Sequence, residues 1–186
     1  MKALTDTILQ AADILQHGGI IAYPTEAVFG LGCLPTQFDS IQRLLLIKQR
    51  PIEKGLILLA AEFSQLTPYL GDLAPEIVAK MLSSWPGPTT WVVPAAEQTP
   101  ILIKGHFSTV AVRISAHPIV RKLCQQCQSA IISTSANISG QNMTYNSNEV
   151  RLQFADKLDY ILDGALGGSD KPTIIRDAIS NQLIRG

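Results

Sequence analysis

Apolar positions along the chain recur with two periods, and these predict an alternation of helices and strands. Ile8, Ala11, Ala12 and Leu15 fall three or four apart, as on one face of a helix, and Gly18-Gly19 ends the pattern. Ile20-Ile21-Ala22-Tyr23 reads as a buried strand running into Pro24-Thr25-Glu26. In Ala27–Cys33, Gly30 and Gly32 point to close backbone approach, by a ligand or by another element. Asp39 or Ser40 is suited to cap a helix whose inner face carries Ile41, Leu44 and Leu45.

Leu56–Ala60 is wholly apolar and predicts a strand. Helical patterns are expected over Glu62–Leu70 and Pro75–Ser84, with Pro75 in a first turn. Trp85-Pro86-Gly87-Pro88 predicts a rigid turn before a strand at Thr89–Val93. A short strand is expected at Ile101–Ile103, and Thr109–Ile114 alternates as a strand. Pro118 opens a helix with Ile119, Val120 and Leu123 inward, and Ala130–Ile132 is the next strand. Ser147 is expected to cap a short helix through Val150 and Phe154. Leu158–Leu162 and Leu183–Gly186 read as strands, on either side of a glycine-rich loop at Gly164–Ser169. This order predicts an α/β fold with a mixed sheet flanked by helices.

Composition narrows the class. At 186 residues and 46% hydrophobic, the chain reads as one domain, 1–186, with a substantial core. The formal net charge is zero, which argues against a protein that coats nucleic acid through general basicity. No apolar run approaches the ~20 residues of a membrane span, and Met1–Asp6 lacks the features of a signal peptide. Three cysteines form no disulfide framework, so a cytoplasmic location is expected, with no membrane partner.

Candidate chemistry begins with Lys48-Gln49-Arg50-Pro51-Ile52-Glu53-Lys54, which puts three cations within seven positions although only 16% of residues are charged. Two readings fit that segment alone: an anion site, or cations complementing a helix dipole. Hydroxyls and cations also mark strand ends, namely Thr25, Arg113, Ser133 with Ser135, and Thr173. Ligands of open α/β sheets gather beyond strand ends, and arginine grips carboxylate or phosphate through two nitrogens. Taken singly, each hydroxyl also fits a turn or cap. Neither a P-loop nor a dinucleotide fingerprint occurs. Cys124-Gln125-Gln126-Cys127 stands alone within a helical pattern, which favours half-buried packing over metal or redox chemistry. His17, His106 and His117 have no metal spacing, and no acid–base pair or serine-hydrolase base is evident.

Five ordered segments carry a resemblance. Ala22-Tyr23-Pro24-Thr25-Glu26, Lys48-Gln49-Arg50-Pro51, Trp85-Pro86-Gly87-Pro88-Thr89, Val110-Ala111-Val112-Arg113 and Ser133-Thr134-Ser135-Ala136-Asn137 together resemble the YrdC/TsaC family of threonylcarbamoyl-AMP synthases, in its short bacterial form. The resemblance implies a twisted sheet with a basic concave cavity. It implies a nucleotidyltransferase reaction in which L-threonine, bicarbonate and ATP, with Mg²⁺ on the ATP, give threonylcarbamoyl-AMP and pyrophosphate. The product would serve N6-threonylcarbamoyladenosine at position 37 of tRNAs reading ANN codons, through transfer proteins of the TsaB, TsaD and TsaE type.

Carried over by motif, Thr25, Arg113, Ser133 and Thr173 would hold threonine. Lys48, Arg50, Lys54, Thr109, Ser135, Asn137 and Arg185 would hold ATP, with Lys48 and Arg50 catalytic. Where longer members have Asn-Pro-Leu after the basic motif, this chain has Lys54-Gly55-Leu56. Two alternatives stand beside this one. The first is a module binding tRNA or double-stranded RNA, or acting in ribosome maturation; the second is a paralogue of the same fold with another acyl acceptor. Residues 138–149, rich in Asn, Ser and Gly, are a candidate flap.

Overall fold

The computed structural model describes residues 4–169 and 173–185; the first three residues and Gly186 of the expected segments lie outside it. Helix α1 spans Leu4–Gln16 and buries the four residues that the spacing singled out. Strands β1 (Ile21–Pro24) and β2 (Phe29–Gly32) form an antiparallel pair. Helix α2 (Phe38–Lys48) stops where Gln49 adopts a left-handed conformation and donates to Leu45 and Leu46 carbonyls. Next come β3 (Ile57–Ala60), α3 (Pro75–Ser83), β4 (Thr89–Pro94) and β5 (Thr109–Ile114). A four-residue helix, α4 (Ile101–Lys104), precedes β5. The chain continues with α5 (Pro118–Cys127), β6 (Ile131–Ser135), α6 (Ser147–Phe154), β7 (Tyr160–Ile161), β8 (Ile174–Asp177) and β9 (Leu183–Arg185).

Among the described residues the strands form one mixed sheet, ordered β7-β1-β2-β6-β3-β5-β4-β8-β9. The expected α/β class with a mixed sheet flanked by helices is what the chain adopts. No helix among the described residues is long and apolar enough to cross a membrane.

Four local expectations are corrected. Neither Asp39 nor Ser40 caps α2; the residue before it is Gln37, without a side-chain cap, and the Ser40 hydroxyl instead donates to the Gly18 carbonyl at 2.6 Å. Glu62–Leu70 is two 3-10 turns, Phe63–Gln65 and Thr67–Tyr69, because Pro68 cannot donate within a longer helix. Ile101–Ile103 is helical, since Pro100 starts a turn and Gly105, at φ +67°, ends it. Asn146, not Ser147, caps α6, its side-chain oxygen accepting from the Glu149 backbone N–H at 2.9 Å.

Alternation along the strands explains where the sheet is open. One face carries Ala22, Phe29, Leu31, Leu58, Val112 and Ile132 into the larger core, beneath α2 and α6. The other face carries Ile21, Tyr23, Leu59 and Ile131 under α1 and α5. On that second face the same strands also present Gly30, Ser133, Ser135, Ala111 and Arg113, by the two-residue period. Small and polar residues there give a helix little apolar surface to cover, and the sheet is left as the floor of a recess.

Candidate functional site

Strand register builds the floor. Ser133 of β6 stands opposite Ile57 of β3, which stands opposite Ala111 of β5, which stands opposite Val92 of β4. One step along, Ile131, Leu59 and Arg113 align. The sequence reading ended this strand at Ile132, but β6 runs on through Ser135, so Ser133 and Ser135 sit two apart on the same side of the sheet. A recess of about 740 Å³, counting the space at its open mouth, is lined by Thr25, Gly30, Arg50, Arg113, Ser133, Ser135, Met143, Thr173 and Arg185, among others. All four residues expected to hold threonine therefore line one recess.

A second recess, about 1000 Å³ by the same measure, is lined by Arg50, Lys54, Thr109, Arg185 and an apolar set including Val92, Ile103, Phe107, Val110 and Ile184. Arg50 and Arg185 line both, so they stand where the two meet. Lys48 and Asn137 line neither. Lys48 is buried, and its Nζ donates to the carbonyls of Ser135 at 2.5 Å and Asn137 at 2.6 Å. The Asn137 carboxamide accepts from the Ser135 hydroxyl at 2.6 Å and donates to the Ile138 and Gln141 carbonyls. These two residues shape the 135–137 segment instead of facing the cavity.

Three guanidiniums meet around the recess. Arg50 donates through Nε and Nη2 to the Gly55 carbonyl, which fixes its stem across the turn at Ile52–Lys54. Arg185 donates to the Thr173 carbonyl at 3.3 Å. Burial lowers the pKa of Arg50, and Arg185 adds to this; burial alone lowers that of Arg185. Each shift marks a cation in partly desolvated surroundings, and an anion bound between them would relieve it.

Arg113 is the deepest of the three. Its Nη2 pairs with Glu26 Oε2 at 3.0 Å, both side chains being more than nine-tenths buried. Its Nε and Nη1 are buried and have no hydrogen-bond partner. A desolvated guanidinium with two spare donors is costly unless a ligand supplies acceptors. A carboxylate is the natural complement.

Three residues at or beside the recess stand outside the expected site set: Glu26, Gly30 and Met143. In the sequence Glu26 stands out only as part of the Ala22–Glu26 motif. Gly30 matters because a Cβ there would lie 3.2 Å from both Ser133 Oγ and Thr25 Cγ2, inside the recess. The close approach expected of Gly30 is thus to the recess, whereas that of Gly32 is to another strand: a Cβ at Gly32 would meet the Ile132 carbonyl at 2.2 Å. Met143 lines the recess from the 138–149 stretch, which is tied down by Ser139 N–H to the Lys48 carbonyl and by the buried Thr144 hydroxyl to the Ala136 carbonyl.

The cysteines carry no site. Cys33, Cys124 and Cys127 are free; Cys33 and Cys124 are fully buried and Cys127 nearly so, deeper than the half-buried packing expected of the Cys-x-x-Cys pair. Burial pushes the Cys127 thiol up to about 11 and the Cys33 thiol up to about 12, away from the reactive thiolate. Among the described residues no group of three or more His, Cys, Asp or Glu side chains could hold a metal.

The Sua5/YciO/YrdC family model, described as "Telomere recombination", matches residues 13–185. A threonylcarbamoyl-AMP synthase of Vibrio cholerae is 48% identical over 185 residues, covering 98% of each chain. Another of that name from Coxiella burnetii is 44% identical over 185 residues, covering all of both. Among solved structures, P. abyssi Sua5 complexed with L-threonine matches with a TM-score of 0.89 at 33% identity, over 96% of this chain and 53% of that longer one. E. coli YciO matches in fold, with a TM-score of 0.81 at 24% identity over all of this chain and 90% of its own.

Proposed function

The chain belongs to the Sua5/YciO/YrdC family, and on that premise we propose that it condenses L-threonine, bicarbonate and ATP into threonylcarbamoyl-AMP and pyrophosphate. The observation that carries this reading is Arg113, a buried guanidinium with two unpaired donors on the wall of a recess that Thr25, Ser133, Arg50 and Arg185 also line. A relative of this fold has been solved with L-threonine, the amino acid such a recess suits.

The Arg113 guanidinium takes the threonine carboxylate, and the absent Cβ at Gly30 leaves room for its side chain. The hydroxyls of Thr25, Ser133 and Thr173 surround the rest of the amino acid. The Thr25 hydroxyl already donates to the Val28 carbonyl at 2.7 Å, so toward a ligand it acts as an acceptor. The second recess takes the nucleoside against its apolar wall, with Lys54 and Thr109 at hand. Arg50 and Arg185 then face the phosphates.

The chemistry needs these cations. The threonine amine and bicarbonate give a carbamate and water. The anionic carbamate oxygen then attacks the α-phosphorus of ATP, and the bond to pyrophosphate breaks. Two anions must approach each other, and fixed guanidiniums in a partly desolvated site offset that repulsion. Positioning in adjoining recesses supplies the rest. A dedicated general base is not required in this scheme. Mg²⁺ would enter as the companion of the ATP triphosphate, as substrate. The adenylate then serves threonylcarbamoylation of adenosine 37 in tRNA through transfer proteins of the TsaB, TsaD and TsaE type.

The test is pyrophosphate release with each substrate withheld in turn. Release is expected only with all three present, and release indifferent to threonine would overturn the reading.

A further inference from the structure

Glu26 lines neither recess, yet it is buried directly against the arginine that the proposed reaction depends on. A carboxylate there is unfavourable for anion binding on charge alone, because it repels an incoming carboxylate through the same guanidinium it neutralises. Some other effect must offset this.

The geometry around Glu26 supplies one. Its Oε1 accepts from the Ser115 hydroxyl at 2.6 Å and from the Ala116 backbone N–H at 3.2 Å. Ser115 Oγ in turn accepts from the His117 backbone N–H at 3.1 Å. The main chain is fastened as well: the Gly167 N–H donates to the Thr25 carbonyl and the Ser169 N–H to the Glu26 carbonyl, both at 3.0 Å. Oε1 and the main chain are thus fixed, and Oε2 is left turned to Arg113. Among the described residues Glu26 is the only ion-pair partner of Arg113: Oε2, which accepts no hydrogen bond, stands 3.0 Å from Nη2, and Nε and Nη1 are unpaired.

We propose that Glu26 is a positioning residue, whose ion pair at Nη2 fixes the orientation in which the Arg113 guanidinium meets the ligand's carboxylate. The proposal rests on the threonylcarbamoyl reading for the identity of that ligand. Its carboxylate stays ionised: burial pushes the pKa up, but Arg113 and the Ser115 hydroxyl bring it below the usual range.

Charge and positioning predict opposite signs, which makes the proposal testable. The Glu26→Gln and Glu26→Asp variants of the full chain are compared with the unaltered protein by calorimetric titration with L-threonine and, separately, with ATP. Positioning predicts that Glu26→Gln weakens threonine binding roughly tenfold or more, with ATP affinity unchanged. Threonine binding by Glu26→Gln that is equal or tighter overturns the proposal, as does an equal loss for both ligands. If Glu26→Gln fails to fold, Glu26→Asp decides: it keeps the charge but moves it, so weaker threonine binding supports positioning and unchanged binding overturns it. Failure of the unaltered protein to bind threonine at all overturns the functional reading itself, and the proposal with it.

Discussion

The ammonium of Lys48 donates to the carbonyl oxygen of Ser135, 87 residues further along the chain, at 2.5 Å. A second bond reaches the Asn137 carbonyl at 2.6 Å. The helix that ends at Lys48 thereby holds the end of β6, and with it a serine that lines the candidate site. Arg50, two residues on, reaches the cavity itself. One short basic segment thus supplies both a clamp and a cation that lines the cavity.

Removing the clamp has a defined cost. Lys48→Met leaves two carbonyls without their donor, and one unsatisfied buried group costs about 1–3 kcal/mol. Urea unfolding of the variant is expected to show a loss of that order, together with lower turnover as the 135–137 segment loosens. Full stability in the variant would contradict the role.

The same residue predicts a pH dependence. Burial, and secondarily Arg50, pull the Lys48 pKa down to about 7. In the unfolded chain an ordinary lysine titrates near ~10.4. Between these values the unfolded state binds more protons, so stability rises with pH. The stability difference between the protein and Lys48→Met is expected to grow in the protein's favour from pH 7 to pH 9.5, read from urea midpoints. A difference that does not change with pH argues against the shift.

Arg113→Ala and Arg50→Ala are expected to separate the two substrates. Loss of a charge-assisted contact costs about 1.5–3 kcal/mol, or roughly ten- to hundredfold in affinity. The first variant should lose that factor for threonine and the second for ATP. Steady-state KM values for each substrate make the comparison, and a shared loss in both would refute the division.

Gly30→Ala tests the shape of the recess. The new methyl would stand 3.2 Å from Ser133 Oγ and Thr25 Cγ2, so both must give way or the ligand must. Threonine KM is expected to rise severalfold while that for ATP holds. A variant with unchanged threonine KM would place the amino acid elsewhere.

Asn146→Ala removes the cap of α6, whose acceptor meets the Glu149 N–H at 2.9 Å. Such caps are worth about 0.5–2 kcal/mol. Thermal unfolding should record a loss in that range with threonine affinity retained, since α6 lies outside both recesses.

Local patterns were readable because they depend on neighbours in the chain. Ile8, Ala11, Ala12 and Leu15 mark α1 by spacing, and Thr109–Ile114 marks β5 by alternation. Caps misled where two residues could each do the work, as with Asn146 and Ser147. The hydroxyls of Ser133 and Ser135 suited a turn when read alone, and they became part of one wall because β6 continues through them.

The kinds of residue that meet in the site, namely arginines, lysines and small hydroxyls at strand ends, follow from the order of residues alone, as does the α/β class. Which of them face the cavity does not. Lys48 turns inward to carbonyls 87 and 89 residues away, and Glu26 pairs with Arg113 across the sheet. Those choices depend on register between distant strands and on which buried donor finds an acceptor. Both are set only when the sheet closes and water leaves, so that an unpaired polar group becomes costly.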